Sequence, residues 1–144
     1  MTPGGSAKGT EMRGVLRVVI VDDDEGILFL VGEYLHSIGI HARAALNAAQ
    51  ARKLLAHGQY DLVISDLQMP GESGLDLFRT VSYRYPGLPF ILMSGNLDSR
   101  VKREAIGMGI CNFVEKPFEL SSLKRLIMNL KTCSVRIEVG APAA

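Results

Sequence analysis

Asp61-Leu62-Val63-Ile64-Ser65-Asp66-Leu67-Gln68-Met69-Pro70-Gly71 is the stretch whose reading decides the fold. Leu62 to Ile64 is a short apolar run that reads as a buried strand. It ends on a carboxylate, Asp66, and the chain breaks at Pro70-Gly71. In open α/β sheets, ligands sit outside the carboxyl ends of the strands. Asp66 is therefore expected at the rim of a sheet, facing a crevice.

The same plan repeats on both sides of this stretch. Upstream, Val15 to Val21 is apolar apart from Arg17 and runs straight into Asp22-Asp23-Asp24-Glu25. A valine-rich run of this kind fits a strand buried on both faces of a parallel sheet. Ile27, Leu30, Val31, Tyr34, Leu35 and Ile38 then follow at helical spacing, with Gly39 at the stop. This stripe leaves Leu28 and Phe29 off the inward face. Ile40 to Ala45 is a weaker strand, and Asn47 can cap a helix that reaches about His57.

Downstream, Ser73 can cap a helix that turns Leu75, Phe78, Val81 and Tyr85 inward and ends at Pro86-Gly87. Phe90 to Met93 reads as a fourth strand, ending on Ser94-Gly95. Asp98 can cap a helix to about Met108, with Val101, Ala105 and Ile106 inward. Asn112-Phe113-Val114 is a short fifth strand before Glu115-Lys116-Pro117. The last helix carries Leu120, Leu123, Leu126, Ile127 and Leu130 on one face. Five strands alternating with five helices argue for an α/β sandwich around a parallel sheet.

The bulk properties agree with one ordinary domain. The chain has 144 residues, 47% hydrophobic and 22% charged, enough for a single core. A formal net charge of +1 gives no strong general attraction to nucleic acid, so no direct nucleic-acid partner is expected. No apolar run approaches the ~18–20 residues of a membrane span. Residues 1–14 hold no apolar stretch and read as a flexible tail, 15–132 as the domain, and 133–144 as a tail or linker stub. In that last part Val135, Ile137 and Val139 alternate with charged residues. Cys111 and Cys133 have no metal-ligand spacing and are expected as reduced thiols of a cytoplasmic protein.

The candidate chemistry lies at the strand ends. Asp22 and Asp23 end the first strand, Asp66 the third, Ser94 the fourth and Lys116 the fifth. A parallel sheet brings these ends to one edge. Crowded carboxylates repel one another and favour a bound cation. Hard oxygen donors on a partly open rim suit Mg²⁺, and Lys116 supplies a further positive charge. Such a pocket suits phosphoryl transfer, which rests mostly on positioning and charge neutralisation. The bland alternative is that Asp22 and Asp23 only cap the first helix.

These residues resemble the receiver domain of bacterial two-component response regulators. The likeness rests on Val-Asp-Asp-Asp at 21–24, Asp66 with Met69-Pro70-Gly71, Ser94-Gly95, and Lys116-Pro117-Phe118. It spans about Leu16 to Lys131. It implies a flavodoxin-like three-layer sandwich, a doubly wound five-stranded parallel sheet in the order 2-1-3-4-5.

The resemblance also implies a role for each station. Asp66 is the phosphoacceptor. Asp23, Asp66 and the backbone carbonyl of Gln68 are Mg²⁺ ligands, with Asp22 close by or acting through water. The Ser94 hydroxyl bonds a phosphoryl oxygen, Lys116 pairs with the phosphate, and the Lys116-Pro117 bond is cis. Phe113 is the aromatic switch, and the side chains of Gln68 and Asn96 influence the phosphate's lifetime. The donor is a sensor histidine kinase or histidine phosphotransfer domain, with Leu28 and Phe29 as its docking residues. A downstream protein reads the surface of the fourth helix, fifth strand and fifth helix. Arg100, Lys102, Arg103, Lys124 and Arg125 lie on the last two helices, open to an acidic partner or to a homodimer.

Two other functions compete. A haloacid-dehalogenase-like phosphatase also uses an aspartyl phosphate and Mg²⁺, and Asp22-Asp23-Asp24 offers an Asp-x-Asp. That reading leaves Asp66 with Met69-Pro70-Gly71 unexplained. A receiver fold that is never phosphorylated would be a pure interaction module, which the full set of acidic pair, Ser94 and Lys116 argues against. On the favoured reading the chain is not a turnover enzyme but a signalling domain that assists its own phosphorylation and dephosphorylation.

Overall fold

The computed structural model describes residues 14–130. The expectations for both tails, including the strand near Val135, lie outside the described residues. Strands and helices alternate: β1 (Arg17–Val21), α1 (Glu25–Ser37), β2 (His41–Ala45), α2 (Ala48–Ala56), β3 (Leu62–Asp66), α3 (Gly74–Arg84), β4 (Phe90–Ser94), α4 (Ser99–Met108), β5 (Asn112–Glu115) and α5 (Leu120–Met128). The sheet is parallel throughout and ordered β2-β1-β3-β4-β5, as expected.

The sheet is buried on both faces because its strands are apolar at alternate positions on both sides. Val19, Val21, Val63, Phe90 and Leu92 pack under α2, α3 and α4. Val18, Ile20, Leu62, Ile64, Ile91 and Met93 pack under α1 and α5. All carboxyl ends of the strands therefore reach one edge, with β3 in the middle.

Helix starts follow from short polar side chains that accept orphan backbone N–H groups. Asn47 caps α2 through Gln50 N, and Asp98 caps α4 through Val101 N. Ser73 and Asp76 form a reciprocal capping box on α3. Asp24 caps α1 through Gly26 N and Ile27 N. The cap of the first helix is thus Asp24, and Asp22 and Asp23 are not used for it.

Three expectations need correction. Leu28 is 7% exposed and packs in the core with Val31 and Leu35, while Leu30 is 56% exposed. The run Ile27 to Val31 is apolar at every position, so its sequence carries no contrast to fix the rotation of the helix; contact with the sheet fixes it. Ile106 is 39% exposed, and Ala105 faces inward alone at that turn of α4. Cys111 is disulfide-bonded rather than a free thiol; Cys133 lies outside the described residues.

β2 is one of the two edge strands of the sheet. His41 N donates to Leu16 O on the β1 side, so the neighbouring Ala42 N–H turns outward. It donates to His36 Nε2 at 3.2 Å. Just past the strand, Leu46 N donates to Gln50 Oε1 at 2.8 Å. Side chains thus occupy two main-chain donors along this edge.

Candidate functional site: an acidic pocket at the carboxyl edge of the sheet

Each site residue is delivered by a strand end. Asp22 follows β1, Asp66 closes β3, Ser94 closes β4 and Lys116 follows β5. The registers set their heights: Val21 lies beside Ser65, Asp66 beside Met93, and Ser94 beside Glu115. Lys116 N donates to Ser94 O at 2.8 Å, which extends the β4–β5 ladder to the lysine itself. The Lys116-Pro117 bond is cis.

Main-chain contacts hold Asp66 in place. The Ser65 hydroxyl donates to the Asp66 carbonyl at 2.9 Å, and Leu67 N donates to Met93 O at 2.7 Å. Gly74 N donates to Leu67 O at 2.8 Å, folding the loop back over the strand end. A Cβ at Gly74 would collide with the Asp66 carbonyl, so only glycine permits this approach. Glu72 in the same loop is tied to Arg52 of α2 at 2.7 Å.

The charged groups converge. The Lys116 ammonium lies 2.9 Å from Asp22 Oδ2 and 3.3 Å from Asp66 Oδ1. Asp22 and Asp66 are buried, Lys116 is half-buried and Asp23 is exposed. One carboxylate oxygen from each of Asp22, Asp23 and Asp66 lies within 4.8 Å of the others. Asp24 N donates to Asp22 Oδ1, fixing that carboxylate from the loop side. Burial raises the carboxyl pKa of Asp66, and the Asp22 charge adds to this; Lys116 only partly offsets it. For Lys116, burial opposes the charged form. The hydrogen bond to Asp22 and the charges of both aspartates outweigh it, so its pKa is raised.

Three carboxylates facing one ammonium leave a net negative pocket with hard oxygen donors and an exposed mouth at Asp23. That donor set fits a small divalent cation of the Mg²⁺ type.

Ser94 is buried, and its Oγ accepts from Asn96 N at 3.0 Å. Phe113 is half-buried against the core beneath α4. Gln68 and Asn96 are exposed beside the pocket. The expected phosphate-site residues are therefore brought to one edge, whereas the expected docking pair splits: Phe29 is 70% exposed and Leu28 is interior. Gly74 and the Ser65 hydroxyl were not anticipated. A glycine one residue into a helix behind a capping Ser was the available signal for the first.

This fold and this pocket define a response regulator receiver domain, and the chain belongs to that family: the family model for the response regulator receiver domain matches residues 18–128. Among curated relatives, it is 34% identical over 113 residues to the response regulator protein PilR of Pseudomonas aeruginosa, covering 77% of this chain and 25% of that protein. It is 31% identical over 115 residues to the DNA-binding transcriptional regulator NtrC of Escherichia coli, covering 80% and 24%. The chain thus spans about a quarter of the length of these relatives. Among solved structures, a response regulator receiver protein of Pseudomonas putida superposes with a TM-score of 0.76 at 34% identity, over 80% of this chain and 97% of that one. The response regulator TrrA of Thermotoga maritima, in complex with Mg²⁺ and BeF, gives 0.72 at 30%, over 81% and 99%.

Proposed function

We propose that Asp66 accepts a phosphoryl group from a phosphohistidine on a sensor histidine kinase or histidine phosphotransfer domain. The carrying observation is the Lys116 ammonium set between Asp22 and Asp66, with Asp23 at the mouth. An Asp66 carboxylate oxygen attacks phosphorus; the O–P bond forms as the histidine N–P bond breaks, and the imidazole leaves with the nitrogen electron pair. Lys116 can follow the new negative charge without leaving Asp22. The Ser94 hydroxyl, one strand away, can donate to a phosphoryl oxygen. Asp22 and Asp23, Asp66 and the Gln68 carbonyl would hold Mg²⁺, which when bound neutralises charge on the transferring group. The relative TrrA, crystallised with Mg²⁺ and BeF, supports this assignment.

The modified Asp66 then draws Ser94 toward it, Phe113 follows, and the face of α4, β5 and α5 repacks for a downstream protein. Phe29 and Leu30, adjacent and exposed near the start of α1, supply the apolar contact for the donor domain. A cytoplasmic location goes with this reading. Among the described residues no helix is long and apolar enough to cross a membrane. The phosphatase alternative is disfavoured because the Asp24 carboxylate is spent on the cap of α1 and does not pair with Asp22.

The test is treatment with acetyl phosphate or beryllofluoride, with and without Mg²⁺, read by intact mass and amide spectra. Wild type should gain one phosphoryl unit, or the beryllofluoride spectral change, only with Mg²⁺. Asp66→Asn should gain neither. Sustained hydrolysis of a generic phosphate ester would favour the phosphatase instead.

A further inference from the structure

Ser94 and Phe113 share one face of the sheet. Phe113 lies beside Leu92 in the β4–β5 register, and Ser94 is two residues beyond Leu92 on the same strand. Val101 and Met108 of α4 pack against the same core cluster as Phe113. An exposed cation stands over the ring: Lys102 Nζ of α4 lies 5.8 Å from the Phe113 ring centroid. Among the described residues Lys102 has no ion-pair partner. An unpaired ammonium over an aromatic face within about 6 Å is attracted by the ring quadrupole.

From this we infer that Lys102 is a positioning residue for the switch, holding Phe113 in its present half-buried place and so opposing its inward turn. The inference rests on the reading of Phe113 as the switch that answers the phosphoryl group at Asp66. Any ligand that needs the ring to move must overcome the Lys102 contact, so the contact weakens that ligand's apparent binding. An exposed cation–π pair of this kind shifts an equilibrium about 2- to 5-fold. Lys102 thereby sets how readily the domain switches, without touching the pocket.

Beryllofluoride titration in saturating Mg²⁺ tests this, read by amide shifts at Ser94 and by fluorine resonances of 4-fluorophenylalanine-labelled protein. Lys102→Met should respond at about 2- to 5-fold lower beryllofluoride than wild type, and Lys102→Arg should match wild type. Arg103→Met, which removes a neighbouring cation of α4, should also match wild type. In a Phe113→Leu background, Lys102→Met should shift nothing. Equal responses of wild type and Lys102→Met, or an equal shift from Arg103→Met, would overturn the role of Lys102. A wild type that fails to respond at all would instead overturn the phosphoacceptor reading on which it stands.

Discussion

Lys116 reaches the Asp66 carboxylate at 3.3 Å from the end of the neighbouring-but-one strand, and it does so while also bonded to the buried Asp22. One cation therefore serves two carboxylates, and Asp66 is the less well served. Burial and the Asp22 charge raise its pKa in spite of the lysine. Folding thus disfavours the ionised Asp66. For a carboxylate with a raised folded pKa, the stability loss is absent below the unfolded pKa and complete above the folded one. Asp66→Asn removes that loss. It should raise unfolding stability near neutral pH, with chelator present, while abolishing phosphorylation. Mg²⁺ should stabilise wild type in thermal melts and stabilise the variant less.

Gly74 makes a second prediction. Its Cβ position is filled by the Asp66 carbonyl, with Leu67 Cα and a Leu92 methyl close by. Gly74→Ala must push the end of β3 aside. Overpacking of this kind costs about 1–3 kcal/mol, measurable by urea unfolding. Labelling by acetyl phosphate should slow as well, because the displaced backbone carries Asp66, the proposed acceptor.

The docking assignment separates cleanly by burial. Phe29→Lys with Leu30→Lys alters only exposed positions. It should slow phosphoryl transfer from a phosphohistidine donor domain that labels wild type, leaving acetyl phosphate labelling unchanged. Leu28→Lys, one residue earlier, buries a charge and should destabilise the whole fold. Unchanged transfer in the double variant would remove α1 from the docking surface.

Asp76 carries the pH prediction. Its pKa is lowered chiefly by the hydrogen bond from Ser73 N, helped by the Ser73 hydroxyl and Arg79. A carboxylate depressed on folding stabilises above its unfolded pKa, and that stabilisation fades as pH falls through the depressed value. The α3 cap should therefore weaken below about pH 4. Asp76→Asn should flatten this acid limb of the stability profile, seen as a smaller drop in Tm between neutral and acid pH.

Much of this architecture was legible because the sequence punctuates it. Four of the five strands, β2 excepted, run into a polar residue of the candidate site, and Asn47, Ser73 and Asp98 cap three of the helices. The acidic pocket was legible for the same reason, since a parallel sheet gathers its strand ends whatever the loops do. What could not be read depends on contacts between elements. The rotation of α1 was hidden in an unbroken apolar run. The close approach of Gly74 to Asp66 and the seat of Lys102 over Phe113 join residues on different elements, with no local pattern to mark them.

The border strand β2 has a consequence for life in a crowded cell. An open strand edge is a template on which foreign chains can add. His36 and Gln50 occupy the donors of Ala42 and Leu46, so an incoming strand meets a row already partly satisfied. Strand addition at this edge is thereby discouraged.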